Sequence, residues 1–241
     1  MQQGRRRDLS VVVPCRGRER GHVNLGWLEA YYTFSFASHY DPTRRGFRSL
    51  RALNERWLAP RSGFGEHPHA NVEILTLVLE GALEQRDRNG KWTLSAGEVG
   101  RLTAGAGVSH DEVNASWHEH AHYLEVWIEP DRADLPPSQE RRALPRNGAQ
   151  RALQVIGAPR EGSGLLQLHQ GVETLFGRLT AGEGVVRAMA RGRHAWIQIL
   201  AGIVNANGQV LEAGDGAAIS SGERLWLLAV TPAEFLLLDL P

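Results

Sequence analysis

The chain has 241 residues, 42% hydrophobic and 22% charged, which fits a folded globular protein of two ordinary domains and excludes a disordered or collagen-like chain. Lysine plus arginine number 27, as do aspartate plus glutamate, so no net field recruits nucleic acid. The single cysteine, Cys15, leaves no intramolecular disulfide and points to a reducing, cytoplasmic location.

At the start of the chain, Arg5, Arg6 and Arg7 read as a solvated tail. The apolar run Leu9 to Val13 is short and meets Pro14, so no export signal is expected. Nowhere do about eighteen apolar residues run together, and no membrane span is expected.

From Arg48 onward, short runs of Val, Leu, Ile and Trp alternate with Gly, Asn and Asp, an all-β rhythm. Val72 to Leu79, Leu124 to Ile128, Ala195 to Leu200, Arg224 to Val230 and Glu234 to Leu238 read as barrel-wall strands. Asn89-Gly90 and Asn207-Gly208 carry the type I′ hairpin signal, because both central residues of that turn take positive φ. Between Glu129 and Arg151, Pro130, Pro136, Pro137 and Pro145 sit among charges without an apolar period. Residues 131–150 are therefore expected to be a linker between an N-terminal domain over 1–130 and a C-terminal domain over 151–241.

The chain also repeats itself. Leu79-x-Gly81, Asn89-Gly90 and Leu94-x-Ala96-Gly97-Glu98 recur as Leu200-x-Gly202, Asn207-Gly208 and Leu211-x-Ala213-Gly214-Asp215, which indicates one β-barrel present twice.

The candidate chemistry lies in the first copy. His67-Pro68-His69 sets two imidazoles at i and i+2, a spacing that puts both on one face of a strand. His110-Asp111-Glu112 repeats that spacing and adds an imidazole and a carboxylate. Three neutral imidazoles and one carboxylate suit a divalent transition metal, leave a net charge near plus one, and leave positions open on an ion of five or six neighbours. In the second copy Ala188 and Ala190 stand where His67 and His69 stand, His194 falls at the place of Glu73, and apolar Leu225 to Leu228 faces them, so that barrel is expected to hold no metal. His118, His120 and His122 alternate too, but read as a solvated face or as neighbours of the ligands. Cys15 has no designated base and receives no role. The seven tryptophans, Trp27, Trp57, Trp92, Trp117, Trp127, Trp196 and Trp226, are expected mainly to pack the core, with some at a barrel mouth.

Several strings resemble the pirin family, which includes bacterial pirin-like quercetin dioxygenases. They are Arg20-Gly21-His22, Thr33-Phe34-Ser35-Phe36 with Tyr40-Asp41-Pro42, Gly63-Phe64-x-x-His67-Pro68-His69, and Gly105-x-Gly107-x-x-His110-x-Glu112-x-Asn114. The resemblance covers nearly the whole chain. It implies a bicupin, two tandem double-stranded β-helix (jelly-roll) barrels, with one metal in the N-terminal barrel on His67, His69, His110 and Glu112. Glu73 competes with Glu112 for the fourth position, since cupins often place a carboxylate ligand there; the resemblance favours Glu112 as ligand and Glu73 as a hydrogen-bonding neighbour of a ligand histidine. Ala70-Asn71 departs from a basic residue and glycine in many pirins, which bears on the substrate pocket.

The activity implied is cleavage of flavonols such as quercetin by dioxygen with release of carbon monoxide, Glu112 being the catalytic proton acceptor. Iron(II) is the metal the resemblance favours, with nickel, manganese, cobalt, copper and zinc compatible with the ligands. The resemblance also admits a non-enzymatic role, an iron-binding regulatory protein acting through a protein partner. A sugar-binding or isomerase barrel would need basic residues for phosphate, and Lys91 is the sole lysine. A monomer is expected.

Overall fold

The computed structural model describes residues 9–88, 90–145, 152–159, 164–220 and 222–241. The Arg5–Arg7 cluster, Asn89 and residues 146–150 of the expected linker lie outside them.

The described chain is almost entirely strand, as expected for an all-β bicupin. The first twelve strands are β1 (Val11–Cys15), β2 (Gly21–Asn24), β3 (Leu28–Tyr32), β4 (Leu50–Leu58), β5 (Gly63–His69), β6 (Glu73–Glu80), β7 (Ala82–Asp87), β8 (Gly90–Ser95), β9 (Glu98–Thr103), β10 (Val108–Val113), β11 (Ala121–Ile128) and β12 (Ser138–Ala143). The remainder are β13 (Leu153–Ala158), β14 (Leu166–Gln167), β15 (Glu173–Leu179), β16 (Gly184–Ala188), β17 (His194–Ala201), β18 (Ile203–Ala206), β19 (Gln209–Glu212), β20 (Gly216–Ser220), β21 (Arg224–Ala229) and β22 (Ala233–Leu240). No helix among the described residues is long and apolar enough to cross a membrane.

Two compact units result. One comprises the described residues of Arg20–Leu144 and Glu161–Gln170, the other those of Met1–Glu19, Pro145–Arg160 and Gly171–Pro241. The first unit sets the sheet β12-β9-β6-β11-β4-β3-β2 with the four-stranded sheet β5-β10-β7-β8. In the second, β1-β20-β17-β22-β15-β13 accompanies β16-β21-β18-β19.

Burial follows strand position. The central strand β6 buries Ile74, Leu75, Leu77 and Val78, the near-continuous apolar run of a strand covered on both faces. The strand β21 alternates instead, with Leu225, Leu227 and Ala229 inward and Trp226 and Leu228 outward. Each fully buried leucine or valine contributes about 1.5–3 kcal/mol relative to exposure. The interior of the second barrel is an apolar cluster that includes Leu175, Ile197, Leu225, Leu227, Phe235 and Leu237.

The repeat inferred from glycine corners corresponds to matching hairpins: Gly81 and Gly202 take φ of 69° and 74°, and Gly97 and Gly214 take 82° and 86°. Asn207 and Gly208, at 48° and 93°, close the β18–β19 hairpin with Ala206 opposite Gln209.

Two boundaries differ from the sequence expectation. Residues 138–143, assigned to a linker, form β12 and pair along β9 from Ser138↔Thr103 to Ala143↔Glu98. That strand is an edge strand with mostly exposed or half-buried side chains, so proline and charge are tolerated and no apolar period marks it. Residues 9–19, assigned to the N-terminal domain, belong to the second unit, because β1 pairs antiparallel with β20 from Val11↔Ser220 to Cys15↔Gly216. Pairing between strands so distant in sequence leaves no local signal.

Candidate metal centre

The strands β5, β10 and β7 build the site. His67 lies opposite His110 across the β5–β10 ladder, and the register then jumps so that Glu112 lies opposite Phe64. The extra residue is on β5, a bulge that re-aims side chains beside the histidines. Gly63 sits where the strands come closest: a Cβ there would be 2.0 Å from the Glu112 carbonyl oxygen. On β10, His110 and Glu112 are buried while their neighbours are not, as the i, i+2 spacing requires.

The three imidazoles form a triangle. Ring centroids lie 4.8 Å apart for His67–His69, 4.7 Å for His67–His110 and 5.0 Å for His69–His110, with planes at 85°, 65° and 84°. One nitrogen from each falls within 4.8 Å of the others, and this is the one such cluster of His, Cys, Asp or Glu among the described residues. The three could hold a metal ion. His67 Nδ1 lies 2.8 Å from the Gly65 carbonyl oxygen, so it donates there and leaves the Nε2 lone pair for the cluster.

The free valences fit a cation. Nε2 of His69, Nε2 of His110 and Oε2 of Glu112 are buried and have no hydrogen-bond partner. Glu112 Oε1 accepts from Gln85 Nε2 at 2.6 Å and lies 4.0 Å from His110 Nε2. Burial, then the proximity of His67, pushes His69 and His110 down to about 4, so both are neutral and able to donate lone pairs at neutral pH. Burial, reinforced by Glu125, pushes the Glu112 carboxyl up to about 7. The carboxyl lies beside the three-imidazole cluster, whose nitrogen donors suit a borderline divalent ion.

Around the cluster lies a buried polar lattice. Arg56 Nη2 meets Glu125 Oε2 at 2.9 Å, Asn54 Nδ2 donates to the same oxygen at 3.2 Å, and the Arg56 guanidinium lies over the rings of Phe64 and Phe36. Trp127 stands edge-on to His69 at 5.1 Å and to Phe36 at 5.0 Å. A cavity of about 800 Å³ opens beside His69 and His110, bordered also by Pro68, Arg86, Arg88 and Ser109. Such a volume lies within the roughly 300–1,000 Å³ of small-molecule sites.

Glu73 is elsewhere occupied. Its Oε1 lies 2.9 Å from His169 Nδ1 and accepts from Thr103 at 3.0 Å, and its Oε2 accepts from the His169 amide at 2.8 Å. The expected hydrogen bond from Glu73 to a ligand histidine is therefore replaced by one to His169. His122 bonds Glu55 at 3.0 Å and stacks on Trp57 at 4.0 Å, whereas His118 and His120 are exposed. Of the tryptophans, Trp196 alone is fully packed; Trp27, Trp117 and Trp226 are exposed and the others half-buried, because strands of a barrel wall have an outer face.

Residues 15–128 match the family described as Pirin, and residues 155–240 match a quercetinase C-terminal cupin domain. A protein of Escherichia coli K12 named quercetin 2,3-dioxygenase is 39% identical over 96% of this chain and 99% of its own. The chain belongs to the pirin family. Among solved relatives of this pirin, the bacterial pirin YhhW of E. coli in complex with nickel(II) superposes with a TM-score of 0.92 at 38% identity, covering 96% of this chain and 99% of that one. The pirin-like protein YhaK of E. coli K12 is 35% identical over 96% of this pirin and all of its own length.

Sequence reasoning passed over Gln85, Arg56, Glu125 and His169. None stands in a ligand-like spacing; the signal available was a polar residue in an otherwise apolar strand pattern, as with Glu125 inside Leu124 to Ile128.

Proposed function

We propose that this pirin is a metal-dependent dioxygenase that opens flavonols such as quercetin, with the metal held by His67, His69, His110 and Glu112. The observation that carries this reading is the cluster of His67, His69 and His110, with unpartnered Nε2 atoms on His69 and His110, beside an open cavity. The relative named quercetin 2,3-dioxygenase, similar over nearly its full length, supports the substrate class.

When bound, a divalent cation supplies Lewis acidity, which lowers the pKa of a hydroxyl brought to it. The protein's part is positional. Glu112 is the group to which we assign uptake of the flavonol hydroxyl proton. Trp127, edge-on to His69 and packed against Phe36, puts apolar surface beside the histidines. The overall change takes up both atoms of dioxygen and releases one ring carbon as carbon monoxide. Iron(II) is our assignment for the metal, and the cytoplasm for the compartment.

The test is anaerobic loading of the metal-free protein with iron(II), then quercetin and air, following the long-wavelength absorption and carbon monoxide. Loss of absorption with carbon monoxide release, abolished in His67→Ala and Glu112→Ala, is expected. Metal uptake without turnover would overturn the enzymatic reading in favour of a regulatory protein that acts through a partner.

A further inference from the structure

The second barrel shows which residues of the first the fold can do without. Gln85 lies four residues beyond Gly81 and pairs with Glu112 across β7–β10. Four residues beyond Gly202 stands Ala206, which pairs with Leu227 across β18–β21. The same comparison holds through the large sheets. Glu125 opposite Thr76 and Asn54 becomes Leu237 opposite Ile197 and Leu175, and Arg56 opposite Tyr123 becomes Gly177 opposite Phe235.

The barrel without the histidines therefore also lacks the polar lattice, and packs leucine, alanine and phenylalanine in its place. Burying amides and charges costs stability unless each is matched, so a fold that closes without them has no structural need of them. Their company is the site.

Within that lattice Gln85 touches a ligand candidate directly. Both side chains are at most 2% exposed, and Gln85 Nε2 meets Glu112 Oε1 at 2.6 Å. The amide nitrogen, a donor, faces the carboxyl. With Oε1 occupied, Oε2 is the oxygen left without a partner.

We propose that Gln85 is a positioning residue for the metal: by holding Oε1 it presents Glu112 through Oε2 alone, as a single-oxygen ligand. The proposal rests on the metal reading given above. Loss of this bond frees the carboxylate to rotate, weakening the site or letting both oxygens bind.

The experiment compares parent, Gln85→Ala, Gln85→Leu, Glu112→Ala and the double variant Gln85→Leu with Glu112→Ala, all in the full chain. Alanine is what the second barrel places there and leucine keeps the volume, so if one variant unfolds the other carries the comparison. Nickel(II) affinity is measured by competition with a chelator, and the visible spectrum is recorded with cobalt(II), whose band intensity and position follow coordination number. Gln85 variants should bind nickel about 10–100-fold more weakly, with a shifted cobalt spectrum, and the Gln85→Leu effect should vanish when Glu112 is already alanine. Unchanged affinity and spectrum, or an equal loss in the absence of Glu112, would overturn the role of Gln85 while the parent still binds metal. A parent that takes up neither nickel nor cobalt would instead overturn the metal reading itself.

Discussion

Glu73 and His169 form a carboxylate–imidazole pair, Oε1 to Nδ1 at 2.9 Å, with the Glu73 side chain fully enclosed at the first residue of β6 and His169 half-buried. The pair ties a loop residue to the sheet and leaves Glu73 turned away from the three-histidine cluster. Replacing Glu73 by alanine strands the His169 and Thr103 partners, and about 1–3 kcal/mol of stability should be lost. Metal content per folded molecule should stay at the parent value, in contrast to Glu112→Ala. Urea unfolding together with elemental analysis checks both; a Glu73 variant that folds well but has lost its metal would make Glu73 the ligand.

The close approach at Gly63 gives a second expectation. Gly63→Ala places a methyl group 2.0 Å from the Glu112 carbonyl oxygen, so β5 must move away from β10. The shift should cost about 1–3 kcal/mol and displace His67 relative to His110, lowering nickel affinity. Gly65, with open space around it, is the control: Gly65→Ala should leave affinity near the parent value. Calorimetric titration of both variants reads the difference, and equal affinities would refute it.

Trp127 reports on the site optically. Its ring lies 5.1 Å from that of His69. Copper(II) or nickel(II) entering the cluster should quench its fluorescence, and Trp127→Phe should remove the largest part of the metal-dependent change while leaving metal binding in place. Quenching that persists undiminished in Trp127→Phe would mean that the metal binds elsewhere.

A pH dependence follows from Glu55. Burial opposes ionisation of its carboxyl, but the hydrogen bond from His122 at 3.0 Å and the Arg20 guanidinium at 2.7 Å outweigh it and hold the carboxyl below the usual glutamate range. A carboxyl with a lowered folded-state pKa stabilises the fold above its unfolded value, about 4.3, and that contribution disappears as pH falls through the lowered value. The stability gap between parent and Glu55→Gln should thus narrow as pH falls below about 4, relative to its value at pH 5. Urea titrations across that range measure it; a gap that widens on acidification would contradict the arrangement.

Much of the three-histidine cluster could be read from residue spacing, because a strand turns i and i+2 to one face, as His67 and His69 do. The repeat was legible for a related reason: glycines such as Gly81 and Gly202 mark corners where positive φ is required. Asn71, at φ 53°, sits in a left-handed turn that glycine or asparagine can take, which reconciles the departure from the family pattern at that residue. What escaped were relations across strands. Gln85 meets Glu112 only through the β7–β10 register, and His169 reaches Glu73 from nearly a hundred residues away. The edge strand β12 escaped because an exposed edge imposes no apolar period.

The pairing of β1 with β20 orders events in time as well as in space. β1 is synthesised before the barrel that carries the histidine cluster, and its partner strand follows only after some two hundred further residues have been made. Such a late contact closes a long loop, whose entropic cost rises slowly with length but whose formation is slow. A fragment cut at the sequence midpoint would therefore expose the flank of β20 as an open edge, a template for strand exchange between copies. Genetic dissection of this protein has to carry residues 9–19 along with the C-terminal half, or it will produce aggregation where it intended a domain.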